Sequence, residues 1–153
     1  MEQHRVKQVK VLLEYTKRIA LEVFKSSFEV SQIKGARQHI NYQCTPREKY
    51  LGQGVYELCV EAKITALLME GEERKDNILT LEVEYCGLFQ LEGEWKEEAR
   101  EELLLVDCAT LLFPFLRQKV CDTTVASGYH PVLLEPINFK ELHTQHKSKR
   151  TIH

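Results

Sequence analysis

No run of 18 apolar residues occurs in the 153-residue chain, so no segment can span a membrane as a helix. The opening MEQHRVKQVK has no apolar h-region, which predicts no signal peptide. An excess of one charge is also missing. The formal net charge is -2 with 29% charged residues, which argues against a dedicated nucleic-acid binder. The five cysteines (Cys44, Cys59, Cys86, Cys108, Cys121) are odd in number and contain no C-x-x-C pair. That speaks against a disulfide set or a zinc site and predicts free thiols in a reducing cytoplasm.

Catalytic signatures are absent as well. The chain has no G-x-x-x-x-G-K, G-x-G-x-x-G, H-E-x-x-H or G-x-S-x-G. Cys121 with His130, or Cys108 with His143, could be drawn as nucleophile and base. Both cysteines lie in an apolar helical context, however, where a free Cys packs as a small hydrophobe. Histidines near the C-terminus are read as incidental rather than metal-ligating. The expectation is a non-enzyme with no metal and no cofactor.

What is present is periodicity. Residues 55–69 alternate, with Tyr56, Leu58, Val60, Ala62, Ile64 and Leu68 against Glu57, Glu61, Lys63 and Thr65. After the polar stretch 70–77, Leu79, Leu81, Val83 and Tyr85 alternate with Thr80, Glu82 and Glu84. This predicts an antiparallel hairpin with one buried face and one solvated, Glu-rich face. Gly87 is expected to mark a bulge or bend, after which Phe89 and Leu91 resume the apolar set. Residues 6–24 satisfy both a strand and a helix template, although Leu12 and Lys17 break the alternation. Residues 25–54 read as irregular, with a short strand near His39 to Cys44.

The run EGEWKEEAREE (92–102) holds six Glu. It is read as a solvated helix start in preference to an acidic docking site. A helix over roughly 111–127 then presents Leu112, Leu116 and Val120 on one stripe, beside Phe113 and Thr124. Pro114 requires that this helix start near Leu111, or that a longer one kink there. Gly128 stands at the stop. Val132, Leu133 and Leu134 follow between Pro131 and Pro136, an apolar crossover that must pack on the core or meet a partner. Asn138 is a candidate N-cap for a short helix carrying Ile137, Phe139 and Leu142. Residues 1–142 are expected to form one domain, followed by a basic, frayed tail over 143–153.

Several runs together resemble the SecB protein-export chaperone family over most of the chain. They are Tyr15-Thr16-Lys17 with Ile19 and Glu22; Val55-Tyr56-Glu57 leading to Ile64-Thr65-Ala66; Glu82-Val83 with Gly87-Leu88-Phe89; Leu112-Phe113-Pro114-Phe115 with Arg117; Val125 with Ser127-Gly128 and Pro131; and Pro136-Ile137-Asn138-Phe139. The resemblance implies an α+β fold, in which a four-stranded antiparallel sheet carries a long helix and a short C-terminal helix on one face. It makes residues 6–24 a strand.

It also implies a cytoplasmic, ATP-independent holdase that assembles as a dimer of dimers. Such a holdase binds unfolded precursors in an apolar groove and passes them to SecA. By this resemblance the groove residues are Tyr42, Phe89, Tyr129, Val132, Leu134 and Ile137. The SecA-facing positions are Glu22, Thr80 and Glu82, and Leu81, Val83 and Tyr85 serve assembly or helix-side packing. The chain departs from the family pattern at Arg18, at Cys86-Gly87 and in its basic C-terminus. Two further readings are a SecB-like chaperone for another client such as an antitoxin, and a non-chaperone module on the same fold.

Overall fold

A computed structural model describes residues 8–151, so residues 1–7 of the opening stretch and the last two of the tail lie outside the described residues. Its strands are β1 (Gln8–Val23), β2 (Ala36–Gly52), β3 (Val55–Glu70) and β4 (Glu73–Glu92). They pair antiparallel in the order β1-β4-β3-β2, which leaves β1 and β2 as edges. The helices are α1 (Ser27–Ser31), α2 (Glu97–Glu102), a π-helical turn (Leu103–Cys108), α3 (Ala109–Ala126) and α4 (Phe139–Thr151). Among the described residues no helix is long and apolar enough to cross a membrane.

Alternation in the two central strands builds the core. Leu58, Val60, Ala62 and Ile64 of β3 and Leu81 and Val83 of β4 point to the helix side and are buried there. Leu112, Leu116 and Val120 of α3 come down on them as the expected stripe. Leu81, Val83 and Tyr85 are therefore helix-side packing residues. The two breaks in the β1 alternation are structural: the register with β4 shifts between Val11 and Leu13 and between Thr16 and Arg18. Leu12 and Lys17 are the inserted residues, each re-aiming the strand that follows it.

Four sequence readings are corrected. First, β2 is a full strand of 17 residues rather than a short one. It hides because an edge strand is exposed on both faces and needs little apolar alternation. It also tolerates Pro46, whose missing N–H costs nothing where no neighbour pairs. Second, the polar stretch 70–77 is mostly strand, with Glu70 opposite Glu73. The hairpin reaches beyond the core, so its tip has nothing to bury.

Third, Gly87 is no bulge, because it pairs in register with both Glu14 and Leu58. A Cβ there would sit 2.8 Å from Phe89 Cε2 and 3.2 Å from Leu112 Cδ2. The Phe89 ring lying over the strand, with Leu112 of α3 close above it, is what requires glycine at this point. Gly87→Ala is expected to cost about 1–3 kcal/mol by overpacking, read as a lower urea midpoint.

Fourth, the thiols are not all free, since Cys59 and Cys86 are joined by a disulfide across β3 and β4. The expectation failed because the pairing depends on strand register, which cysteine spacing alone does not reveal.

Of the two helix readings, the longer holds. α2, the π-helical turn and α3 run on from Glu97, with Pro114 inside α3. The proline removes the donor for the Thr110 carbonyl, and the wider π turn, Leu103–Cys108, joins α2 to α3. The helix ends at Ser127, where the backbone N–H groups of Ser127 and Gly128 bond to carbonyls of the last turn. Asn138 caps α4, its Oδ1 accepting from the Glu141 N–H at 3.0 Å. α4 runs from Phe139 to Thr151.

Candidate functional site

The crossover, residues 127–138, is tied down by one buried hydroxyl. Thr124 Oγ1 donates within its own helix turn to the Val120 and Cys121 carbonyls and accepts the Val132 N–H at 3.0 Å. Tyr129 Oη donates to the Lys25 carbonyl, fastening the crossover to the segment between β1 and α1. Leu134 is fully buried and Phe139 nearly so, the latter edge-on to Phe113 with ring centroids 5.9 Å apart. The crossover is thus anchored at both ends, with its middle lying across the β2 side of the sheet.

Between the crossover and β2 lies a narrow apolar cleft of about 100 Å³. Its walls include Ile40 on β2, Ile64 and Ala66 on β3, Ile78 and Leu79 on β4, and Tyr129 and Val132. Gln38, Tyr129 and His130 are shared with a broader depression that reaches α1 through Val30 and Ile33. Ile40 in the cleft wall, Tyr42 beside it on β2 and Ile33 in the depression are each at least 41% exposed, so the cleft opens onto apolar surface.

The expected groove residues therefore divide. Tyr129 and Val132 line the cleft, and Tyr42 projects from the same face of β2 as Ile40. Ile137 packs partly buried against the core. Phe89 (1% exposed) and Leu134 (0%) are core residues and are corrected: their side chains face the helix–sheet interior and cannot meet an incoming chain. Ile40 and Ile78 were missed, although Ile40 stands two residues from Tyr42 and so on the same strand face.

The opposite face of the sheet also differs from expectation. Glu22, Thr80 and Glu82 do come together, Glu22 opposite Thr80, around one shallow depression with Arg18. The face is not a plain acidic surface, however. Arg18 pairs directly with Glu82, Lys17 with Glu57 at 2.9 Å, and Arg47 bridges Glu84 at 2.6 Å and Glu61 at 3.4 Å. Lys10 with Glu92 and Lys63 with Glu61 extend the lattice. Glu57, Glu61 and Glu84 are only 12–14% exposed, so the expected well-solvated Glu face is corrected to a packed network of ion pairs.

The network sets the protonation of its members. The hydrogen bond from Arg18 holds the Glu82 carboxyl below its ordinary 4.5. Partial burial opposes ionisation of Glu57, but hydrogen bonds from Tyr15 and Lys17 outweigh it and lower that carboxyl too. Burial and the Glu57 carboxylate push the Tyr15 phenol up to about 12. The folded state thus binds the Glu57 and Glu82 protons more weakly than the unfolded chain does. Their contribution to stability is present above pH 4.5 and lost as pH falls through the depressed values. The Tyr15 contribution is complete below pH 10 and lost as pH rises towards about 12. Urea midpoints across pH are expected to fall at both ends, and in Glu82→Gln the acid limb is expected to flatten.

Two of the free thiols are poorly set for covalent chemistry. Burial pushes the Cys108 thiol up to about 12 and the Cys44 thiol up to about 11, which leaves both poor nucleophiles at neutral pH.

The profile of a family described as Preprotein translocase subunit SecB matches residues 2–150. The protein-export protein SecB of Nitrosomonas europaea is 34% identical over 113 residues, covering 73% of this chain and 67% of that protein. The SecB of Paramagnetospirillum magneticum is 32% identical over 136 residues, covering 89% and 83%. Among solved structures, a Mycobacterium tuberculosis SecB-like chaperone in complex with a peptide from the HigA1 antitoxin superposes with a TM-score of 0.58 at 16% identity. That match covers 84% of this chain and 90% of that one, and it bears on the fold alone. With a family match over nearly its whole length, the chain belongs to the SecB family, whose members are chaperones rather than enzymes.

Proposed function

We propose that this SecB-family chain is an ATP-independent holdase that keeps non-native polypeptides soluble by binding them along the β2–crossover cleft. The observation that carries this reading is an apolar cleft with an open apolar rim beside an unpaired strand edge. A non-native chain exposes apolar side chains and unsatisfied backbone together. β2 can answer the backbone by edge pairing, while Ile40, Tyr42, Tyr129 and Val132 answer the side chains. No nucleotide chemistry is needed, because the apolar contact is itself the driving force.

The test is dilution of a chemically denatured precursor with and without the protein, in the absence of ATP. Light scattering is expected to stay suppressed with the wild type. Val132→Asp places a carboxylate in the cleft and is expected to weaken suppression by about tenfold or more. Scattering equal to the no-protein control with wild type would sink the reading and leave a non-chaperone module on this fold.

Self-association as a dimer of dimers is part of the same reading, as are a cytoplasmic location and delivery to SecA, and Glu22, Thr80 and Glu82 are the positions for that contact. The Arg18–Glu82 pair bears on delivery, since it neutralises one of the two carboxylates of that set. It also favours a second reading, a chaperone for another client such as an antitoxin. Calorimetry with SecA separates the two: binding by the wild type supports export, whereas suppression of aggregation without SecA binding supports the other client.

A further inference from the structure

At the centre of the ion-paired sheet face, Cys59, Cys86 and Glu57 present three ligand atoms within 4.8 Å of one another. Cys59 and Cys86 are opposed across β3 and β4, and both are buried. Glu57 Oε1 stands 3.7 Å from Cys59 Sγ. In the disulfide that sulfur carries no hydrogen, so this contact is not a hydrogen bond and does not explain where the carboxylate points. Other groups place it: Tyr15 Oη donates to Oε2, and Lys17 Nζ to Oε1 at 2.9 Å. A carboxylate is thus aimed at two sulfurs by partners of its own, as the outer shell of a metal site aims its ligands.

We propose that, once the disulfide is reduced, Cys59, Cys86 and Glu57 bind one borderline-soft divalent cation of the zinc class. Two thiolates and one carboxylate are a ligand set that zinc accepts, with a fourth position open to water. The strands hold the two sulfurs on one face, so little chain entropy remains to be lost on binding. A cellular dithiol supplies the two electrons. The S–S bond breaks, each sulfur gains a proton, and the reductant leaves as its own disulfide. The cation then displaces both thiol protons as two S–metal bonds form. The same two cysteines would clamp β3 to β4 by sulfur–sulfur bonding when oxidised and through the metal when reduced.

Cobalt(II) is the probe, added anaerobically to full-length protein reduced with a phosphine, after a titration showing five free thiols. One equivalent is expected to give thiolate-to-cobalt charge-transfer absorption, which zinc then bleaches. Unreduced protein is expected to give none. Glu57→Gln keeps both thiols and is expected to weaken binding at least tenfold, and Tyr15→Phe by about 10–100-fold through loss of orientation. Cys59→Ser is expected to abolish the band, and Cys121→Ser to leave it intact. Because Cys59→Ser could disturb the sheet, its circular dichroism is compared with that of the reduced, metal-free wild type. No charge-transfer band in fully reduced wild type overturns the proposal. So does a band that survives Cys59→Ser, or one indifferent to Glu57→Gln.

Discussion

Reduction of the Cys59–Cys86 bridge in the absence of metal is expected to lower unfolding stability by roughly 3.5 kcal/mol. The two cysteines are 27 residues apart, and closing a loop of that length removes about that much chain entropy from the unfolded state in the entropic account. Against a typical total of about 5–15 kcal/mol, this is a large share. The bond does not create the pairing it joins. Val60 opposite Tyr85 and Leu58 opposite Gly87 flank it in an uninterrupted ladder, with Leu58 and Val60 fully buried on the other face. The reduced protein is therefore expected to stay folded at room temperature and to unfold at a lower urea midpoint with a similar slope. Urea titrations with and without a phosphine reductant measure the difference. An unchanged midpoint, with both thiols shown to be free, would mean that the bridge adds nothing beyond the hairpin. Cys121→Ser, which touches neither cysteine of the bridge, is expected to leave the difference intact.

That bridge also shows where sequence reasoning stops. The hairpin between β3 and β4 closes tightly, with Glu70 opposite Glu73. Carried back from that turn without interruption, the register would set Cys59 against Glu84. Two shifts, between Ala66 and Leu67 and between Leu68 and Met69, move the ladder by two positions and bring Cys86 there instead. Both shifts fall in the consecutive apolar run from Ala66 to Met69, where no alternation exists to be broken, so the spacing of the cysteines did not reveal their pairing. By contrast, Leu12 and Lys17 interrupted an otherwise regular alternation, and both mark real shifts. The difference is alternation, not burial: Leu12 and Lys17 are half-exposed, whereas Leu67 and Leu68 are buried. A bulge is legible only where alternation is strong on both sides of it.

The same contrast governs the candidate site. Tyr129 and Val132 were legible because apolar residues between prolines have no ordinary strand or helix to join. Phe89 and Leu134 were indistinguishable from them by type, and only the packing of α3 over Gly87 and the anchoring of the crossover take them out of reach. On the outer face, the count of Glu residues suggested a negative surface. The cations that make its closest ion pairs come from two other strands, Lys17 and Arg18 on β1 and Arg47 on β2. Strand composition read one segment at a time does not reveal charges that meet across a sheet.

The edge strand β1 carries the other large expected effect. Beyond its second register shift, Ile19, Leu21 and Val23 pair with Val83, Leu81 and Leu79, so they share the helix side of the sheet. α3 covers the β4 residues but not these three, which remain 47%, 41% and 40% exposed. Phe115 of α3, 47% exposed and stacked on Tyr85, adds to the same open side. A strand that leaves apolar side chains uncovered and one row of backbone donors and acceptors unpaired is poorly suited to water on its own. A second copy of the chain would satisfy both needs. Ile19→Asp with Leu21→Asp is therefore expected to break self-association while sparing the protomer. Half-exposed carboxylates cost little in the monomer, but burying two in an interface costs roughly 3 kcal/mol or more, about two orders of magnitude in affinity. Sedimentation velocity at micromolar concentration is expected to show the wild type as an oligomer and the double variant as a protomer with unchanged circular dichroism. Phe28→Asp, at a site 71% exposed on α1, is the control and is expected to sediment as the wild type does. A double variant that keeps the wild-type mass would place the assembly surface elsewhere, and the exposed face of β1 would then need another partner.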